Sequence, residues 1–382
     1  MSNLWAYLAV GIIIGLVVGI PTTYYFSHKV SSSISVVKPN VTSSSSSSNM
    51  FTIGAAGTLK FSFGAMLKKF ANIYHKIPLG TPLFKGSEEV AHDEKATNEF
   101  SVVASADTTS IPSILFPTTA SYEIAFGTTQ MVVIVDLQTK AGKEVYTLWK
   151  KAETLKPYTS QWNQTWKEIF SIIALNPSSI IGVSNPFTDP SGYQAQCVLK
   201  LAGLTFFDNS SYLYNNVYKN PKKYYMRNTE IDLLSLMATN NSINFILSSY
   251  LSNAMPQVEF YRSKGVNITY ITLPPLINLG NLSYVPYYHR VNVTWTELGT
   301  SKTFTCNPVV YTITIPNKAP NKEAGVDFIL LLFSPKGQTI LKHYGINPIV
   351  PGIVYGNYSE VPAQVRPFVK PVNQTTLISI FK

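Results

Sequence analysis

Three short stretches of this chain set hydroxyl or acidic side chains where an apolar run gives way to a helical pattern. Residues 55–59 read Ala-Ala-Gly-Thr-Leu, residues 85–89 Lys-Gly-Ser-Glu-Glu, and residues 185–193 Asn-Pro-Phe-Thr-Asp-Pro-Ser-Gly-Tyr. A helix N-terminus carries unpaired N–H donors and the positive end of the helix dipole, so it can hold a dehydrated anion without a full positive charge. Glycine lets a ligand approach the backbone, and Thr58 or Ser87 adds a hydroxyl donor beside it. Such ends on two facing lobes would clamp an oxyanion with neutral donors. Each stretch taken alone also fits an ordinary helix cap, with Thr58, Ser87 and Asp189 as the capping side chains.

Other chemistries leave little trace. The five histidines, His28, His75, His92, His289 and His343, neither cluster nor show the His-Glu-x-x-His spacing of a zinc site. There is no Gly-x-Ser-x-Gly elbow, no Gly-x-x-x-x-Gly-Lys phosphate loop and no dinucleotide fingerprint. An enzyme is not expected, although a triad assembled in space leaves no motif in sequence. No cofactor is expected either. Cys197 and Cys306 are too few for a disulfide framework or a Cys-based zinc site, and form either one bridge or two buried thiols.

Only 13% of the 382 residues are charged, against about 25% in an ordinary soluble domain, while 45% are apolar. The surface must therefore be polar without being ionic, which suits a protein outside the cell. The net charge of +10 reflects 30 bases against 20 acids and favours an anionic ligand. No dense Lys/Arg block appears, so nucleic acid is not expected as a partner. Asn-x-Ser/Thr sequons at Asn40, Asn163, Asn209, Asn240, Asn267, Asn281, Asn292, Asn357 and Asn373 point to a glycosylated outer surface. Chance in an Asn- and Ser-rich chain is the other explanation.

The elements that must position these groups begin after residue 50. Residues 4–26 are nearly continuously apolar and uncharged, as expected of a membrane anchor, with a cleaved signal peptide as the alternative. The Ser-rich residues 27–50 read as a flexible tether. Beyond them the pattern predicts strands at 51–56, 100–105, 131–135, 180–184 and 309–315, with 100–105 and 131–135 looking like buried parallel strands. Helices are predicted where Leu59, Phe63, Leu67, Phe70 and Tyr74 recur, where Tyr193, Cys197, Leu201 and Leu204 share a face, and over 325–333. Strand–helix alternation argues for an α/β fold. Two crossings, near 133–136 and 309–315, divide it into one lobe of 51–135 plus 310–382 and another of 136–309, with a ligand cleft between them.

The order and spacing of several motifs are similar to those of the archaeal tungstate/molybdate-binding proteins from about residue 51 to about 369. They include residues 102–107 (Val-Val-Ala-Ser-Ala-Asp), 182–193 (Gly-Val-Ser-Asn-Pro through Asp-Pro-Ser-Gly-Tyr), 230–234 (Glu-Ile-Asp-Leu-Leu) and 308–311 (Pro-Val-Val-Tyr). The resemblance implies a two-lobed, hinged, type II-like periplasmic binding fold that delivers a small oxyanion to an ABC permease at the outer face of the cell membrane. It implies that Thr58 and Ser87 contact the anion from the first lobe. It also implies that Asp189 reaches the metal centre of the oxyanion, with Tyr193 at the adjoining helix start. In that family an aspartate and a glutamate together expand the metal to six-coordination. The glutamate should fall at or near Ala238, where residues 237–241 contain no acid. That departure shifts the expectation toward tetrahedral recognition, with sulfate or another oxyanion as alternative ligands. It also keeps open a cell-surface glycoprotein that uses the fold without transport.

Overall fold

A computed structural model describes residues 50–381 apart from 188, 229, 241, 298 and 374–377. The anchor expected at 4–26, nearly all of the tether at 27–50 and the sequon at Asn40 lie outside the described residues. Among the described residues no helix is long and apolar enough to cross a membrane.

The chain first lays down β1 (Ile53–Ala56), β2 (Leu83–Lys85), β3 (Val102–Ser105) and β4 (Tyr122–Thr129). A single residue, Gln130, joins β4 to β5 (Met131–Asp136), which starts a second sheet with β6 (Ile181–Ser184), β7 (Tyr224–Arg227), β8 (Phe245–Tyr250) and β9 (Ile268–Thr272). A hairpin of β10 (Asn292–Glu297) and β11 (Thr300–Thr305) follows. The chain then returns to the first sheet with β12 (Val309–Thr314), β13 (Asn347–Gly356) and β14 (Val369–Pro371). The first sheet is ordered β14-β13-β4-β12-β3-β1-β2 and the second β7-β6-β8-β5-β9.

Residues 131–135, expected as a parallel strand closing the first lobe, pair antiparallel with both β8 and β9 in the second sheet. β5 enters the second sheet straight from β4 across Gln130, so its direction is inherited from the first sheet and is not set by a crossover within the second. β6, fed by helices, does run parallel to β7 and β8. β3 is mixed, parallel to β1 and antiparallel to the returning β12.

Helices cover both sheets. α1 (Lys60–Ile73) buries Phe63, Met66 and Phe70 against the first sheet. Phe63 and Phe328 meet edge to face at 5.3 Å, and Phe51 stacks on Phe70 at 4.8 Å. α2 (Ser87–Thr97) follows β2. On the second sheet α3 (Pro190–Phe207) is buried through most of its length, and Cys197 on it is bonded to Cys306 at the foot of the hairpin, with Cα atoms 5.7 Å apart. The two thiols left open by the sequence are thus one bridge. α4 (Glu230–Asn240) follows β7, and α5 (Leu251–Ser263) continues directly from β8. α6 (Lys322–Phe333), the apolar helix predicted at 325–333, is capped by Asn321, whose Oδ1 accepts from Ala324 N at 3.0 Å.

Candidate anion-binding site

Thr58, Ser87 and Asp189, far apart in sequence, line one cavity of about 400 Å³. Thr58 and Ser87 reach it from the first sheet, and Asp189 reaches it from the second. Thr58 sits in the 3-10 turn Gly57–Leu59 that leads from β1 into α1. The Thr58 hydroxyl lies beside that of Tyr311, yet its buried Oγ1 has no partner at hydrogen-bonding geometry among the described residues. Ser87 opens α2, and its Oγ accepts from Ala106 N at 3.0 Å, which leaves its own O–H to donate.

Asp189 caps α3: its Oδ1 accepts from Ser191 N at 2.9 Å. Pro190 follows at the first helical position, where its missing N–H costs nothing. Gly192 lets the helix end approach β6, because a Cβ there would meet Ser184 O at 2.4 Å. Burial pushes the Asp189 carboxyl above the usual carboxylate range, opposed by donors from Ser191, Ser184 and the backbone of Glu230. The capping role and the cavity position therefore coexist at this residue.

Glu230 is the second carboxyl in the cavity. It opens α4 and is 4% exposed. Burial pushes its pKa up to about 8, with the neighbouring Asp189 adding to the rise. Ser249 Oγ donates to its Oε1 at 2.9 Å, and the Asn253 side chain and Tyr250 N–H also favour its ionised form. The two carboxyls thus tie three helix starts together: Asp189 caps α3 and accepts from the start of α4, and Glu230 on α4 accepts from the start of α5. The acid expected near Ala238 is absent there, and an acid two turns earlier on the same helix stands in the cavity instead. Glu230 lies in the Glu-Ile-Asp-Leu-Leu stretch that resembles the family, and either it or Asp232 could replace the missing acid by sequence. An acid at a helix start is ordinary, however, and its place in the cavity was not marked.

Tyr193 does not line the cavity. Its ring stacks on Phe304 at 4.4 Å and on Trp295 at 5.5 Å, packing the hairpin onto α3 one turn behind Asp189. Over 292–305, Val293, Trp295 and Phe304 stand among polar residues at strand spacing, a signal that could have found that packing. Tyr250 and Asn253, at the start of α5, line the cavity and were missed, because they follow a strand with no glycine or capping pattern to mark them. Lys60 and Lys85 also contribute to the lining, and Lys85 is neutralised by Glu89 at 2.7 Å and Asp93 at 3.3 Å. A second cavity of about 490 Å³, where Gln130, Asn278 and Asn347 meet, holds none of the candidate anion-binding residues and no charged group.

Among the described residues no three His, Cys, Asp or Glu side chains come together as metal ligands. The arrangement offers hydroxyls and helix N-termini to a small acceptor-rich solute held between two sheets, which is the geometry of a binding protein. The model of the bacterial extracellular solute-binding protein family matches residues 51–347, and the chain belongs to that family. It is 28% identical over 293 residues to the molybdate/tungstate-binding protein WtpA of Thermococcus kodakarensis, covering 72% of this chain and 73% of that one. It is also 28% identical over 338 residues to WtpA of Pyrococcus abyssi, covering 82% and 88%. The sulfate-binding protein SubI of Mycobacterium tuberculosis H37Rv superposes with a TM-score of 0.50 at 11% identity, covering 87% of this chain and 96% of that one. This likeness shows the shared two-domain α/β binding-protein fold.

Proposed function

We propose that this protein is the extracytoplasmic capture subunit of an ABC importer, that its ligand is tungstate or molybdate, and that a membrane permease receives the anion from it. The observation that carries this reading is the cavity itself, where Thr58 and Ser87 face the starts of α3, α4 and α5. Neutral hydroxyls and helix N-termini bind an oxyanion through oriented dipoles while excluding water. The kinship with the two WtpA proteins points to the group-six oxyanions. Thr58 and Ser87 donate to the anion from one lobe, and the Asp189 end of α3 faces it from the other. We propose tetrahedral recognition by hydrogen bonds from Thr58, Ser87 and the helix starts, with Asp189 and Glu230 holding those starts in place. Hinge motion about Gln130 and the second connection near Val309 brings lobes of 51–135 plus 310–382 and 136–309 together around the ligand.

Residues 4–26 hold the protein at the membrane and the Ser-rich segment spaces it from the surface. Sequons at Asn163, Asn209, Asn267, Asn292, Asn357 and Asn373 are exposed, as glycan attachment requires. Asn209 and Asn357 each use Oδ1 as a helix-cap acceptor, which leaves Nδ2 for a sugar. Titration calorimetry of the full chain with tungstate, molybdate, sulfate and phosphate tests the assignment. Tightest binding of tungstate or molybdate is expected. A preference for sulfate or phosphate moves the ligand, and no binding of any anion refutes the transport role.

A further inference from the structure

The two crossings between the sheets lie side by side, because Val309 at the start of β12 pairs with Thr129 at the end of β4. One segment that follows β9 touches both. Asn278 O accepts from Met131 N at 2.7 Å, just past the first crossing, and Leu279 O accepts from Val309 N at 2.8 Å, just past the second. The Asn278 side chain, 6% exposed, commits all its polar capacity nearby. Its Nδ2 donates to Gln130 Oε1 at 2.6 Å and to Leu273 O at 3.2 Å. Its Oδ1 accepts from Gly280 N at 2.8 Å and from the Tyr288 hydroxyl at 3.4 Å. Leu279 is buried with a φ of 55°, a left-handed conformation that a residue with a Cβ rarely adopts. Such a backbone persists only where its surroundings fix it, and it gathers at functional and switching parts of proteins. Gly280 then passes so close to the joint that a Cβ there would meet Gln130 Cβ at 2.6 Å.

We infer that residues 278–280 are the clasp of the hinge, and that Asn278 is a positioning residue that latches the joint through Gln130 in the setting where both walls share one cavity. The inference rests on the proposed function and deepens it by assigning what holds the lobes in that setting. Two separate crossings can bend about different axes. Carbonyls of one short segment bonded to both leave them a common axis, so the lobes turn as rigid bodies. The Asn278–Gln130 bond joins two side chains at the joint itself, so it favours the one setting in which the Gln130 amide faces Asn278. An anion that binds only in that setting has its apparent affinity scaled by the population of the setting, which the latch raises. The action is indirect, since Gln130 and Asn278 line the second cavity and neither lines the anion cavity.

The test is calorimetric titration of full-length Gln130→Leu with sodium tungstate, alongside small-angle X-ray scattering of the tungstate-saturated protein and the ligand-free melting temperature. Gln130→Leu removes the acceptor of the latch and leaves the backbone bonds of the clasp. Affinity should fall about three- to tenfold, the contribution of one neutral hydrogen bond expressed as a population. The saturated radius of gyration should match that of wild type, because the same setting is still reached, and the melting temperature should hold. Asn347→Ala, on the same cavity but outside the clasp, should leave affinity unchanged. Undiminished affinity in Gln130→Leu overturns the inference alone. So does a fall shared by Asn347→Ala or matched by a lower melting temperature, which marks a packing role. A larger saturated radius overturns it too, since the side chain would then shape the setting rather than populate it. No binding by the wild-type protein overturns the functional reading and this inference with it. Should Gln130→Leu fail to fold, Gln130→Ala carries the same test with the same outcomes.

Discussion

The two walls of the cavity are built on different principles. The first-sheet wall presents Thr58 and Ser87 from a tight turn and a helix start, each with a hydroxyl proton not committed to the protein. The second-sheet wall is interlocked. Asp189 and Glu230 each accept from backbone N–H groups, joining the starts of α3, α4 and α5, and the Cys197–Cys306 bridge fastens α3 to the hairpin behind them. The first wall offers free hydroxyl donors, and the carboxyls of the second hold that wall in shape. A site that must close on a ligand gains from this asymmetry, since a wall already held in shape has less to order on binding.

The strongest way to break that contrast is to cut the fastening. Replacing Cys197 and Cys306 by serine should cost about 2–5 kcal/mol of stability, read by chemical denaturation, because the bridge closes a loop with a sequence separation of 109 residues. A loss confined to a few tenths of a kcal/mol would mean that the aromatic stack around Tyr193 already secures the wall. Asp189→Ala should lower stability by about 1–2 kcal/mol through the lost cap and also abolish tight anion binding. Retained affinity in that variant would show that the α3 start does not face the ligand. On the donor wall, Thr58→Ala and Ser87→Ala should separate. Thr58→Ala should weaken anion binding about tenfold with little change in melting temperature, while Ser87→Ala should lower both, because Ser87 also accepts from Ala106 N. Equal behaviour of the two would erase the distinction drawn between them.

A separate effect is on pH dependence. Burial raises Glu94, which accepts from Phe100 N at 3.0 Å behind the first wall, to about 7, and raises Glu230 in the second wall to about 8. Both folded values lie above the ordinary 4.5, so the folded protein binds more protons than the unfolded chain between these limits. Their contribution is complete below about pH 4.5 and is lost as pH rises through about 7 for Glu94 and about 8 for Glu230. Thermal melts from pH 5 to 8.5 should show falling stability, with Glu94→Gln flattening the lower part of the curve and Glu230→Gln the upper. A melting temperature that rises across this range would contradict the burial of both groups.

The sequence by itself determined the local parts of this protein. Periodicity marked α1, α3 and α6 and the strands around 51–56, 180–184 and 309–315, because side-chain spacing follows directly from helix and strand geometry. The turn at Gly57–Thr58, the start of α2 at Ser87 and the Asp189-Pro190 cap were legible for the same reason, since capping chemistry is settled within a few residues. What only the tertiary structure decided was non-local. The direction of β5 followed from its one-residue joint to β4 and its pairing with β8 and β9, which no local pattern carries. Tyr193 turned away from the cavity because Trp295 and Phe304, a hundred residues on, offered it a stack. Glu230 and Tyr250 entered the cavity because Asp189 and Glu230 bind the backbone at the starts of neighbouring helices, so three elements converge on one point. A single stretch of chain can specify a helix end, but only packed sheets can bring several helix ends to face the same few atoms.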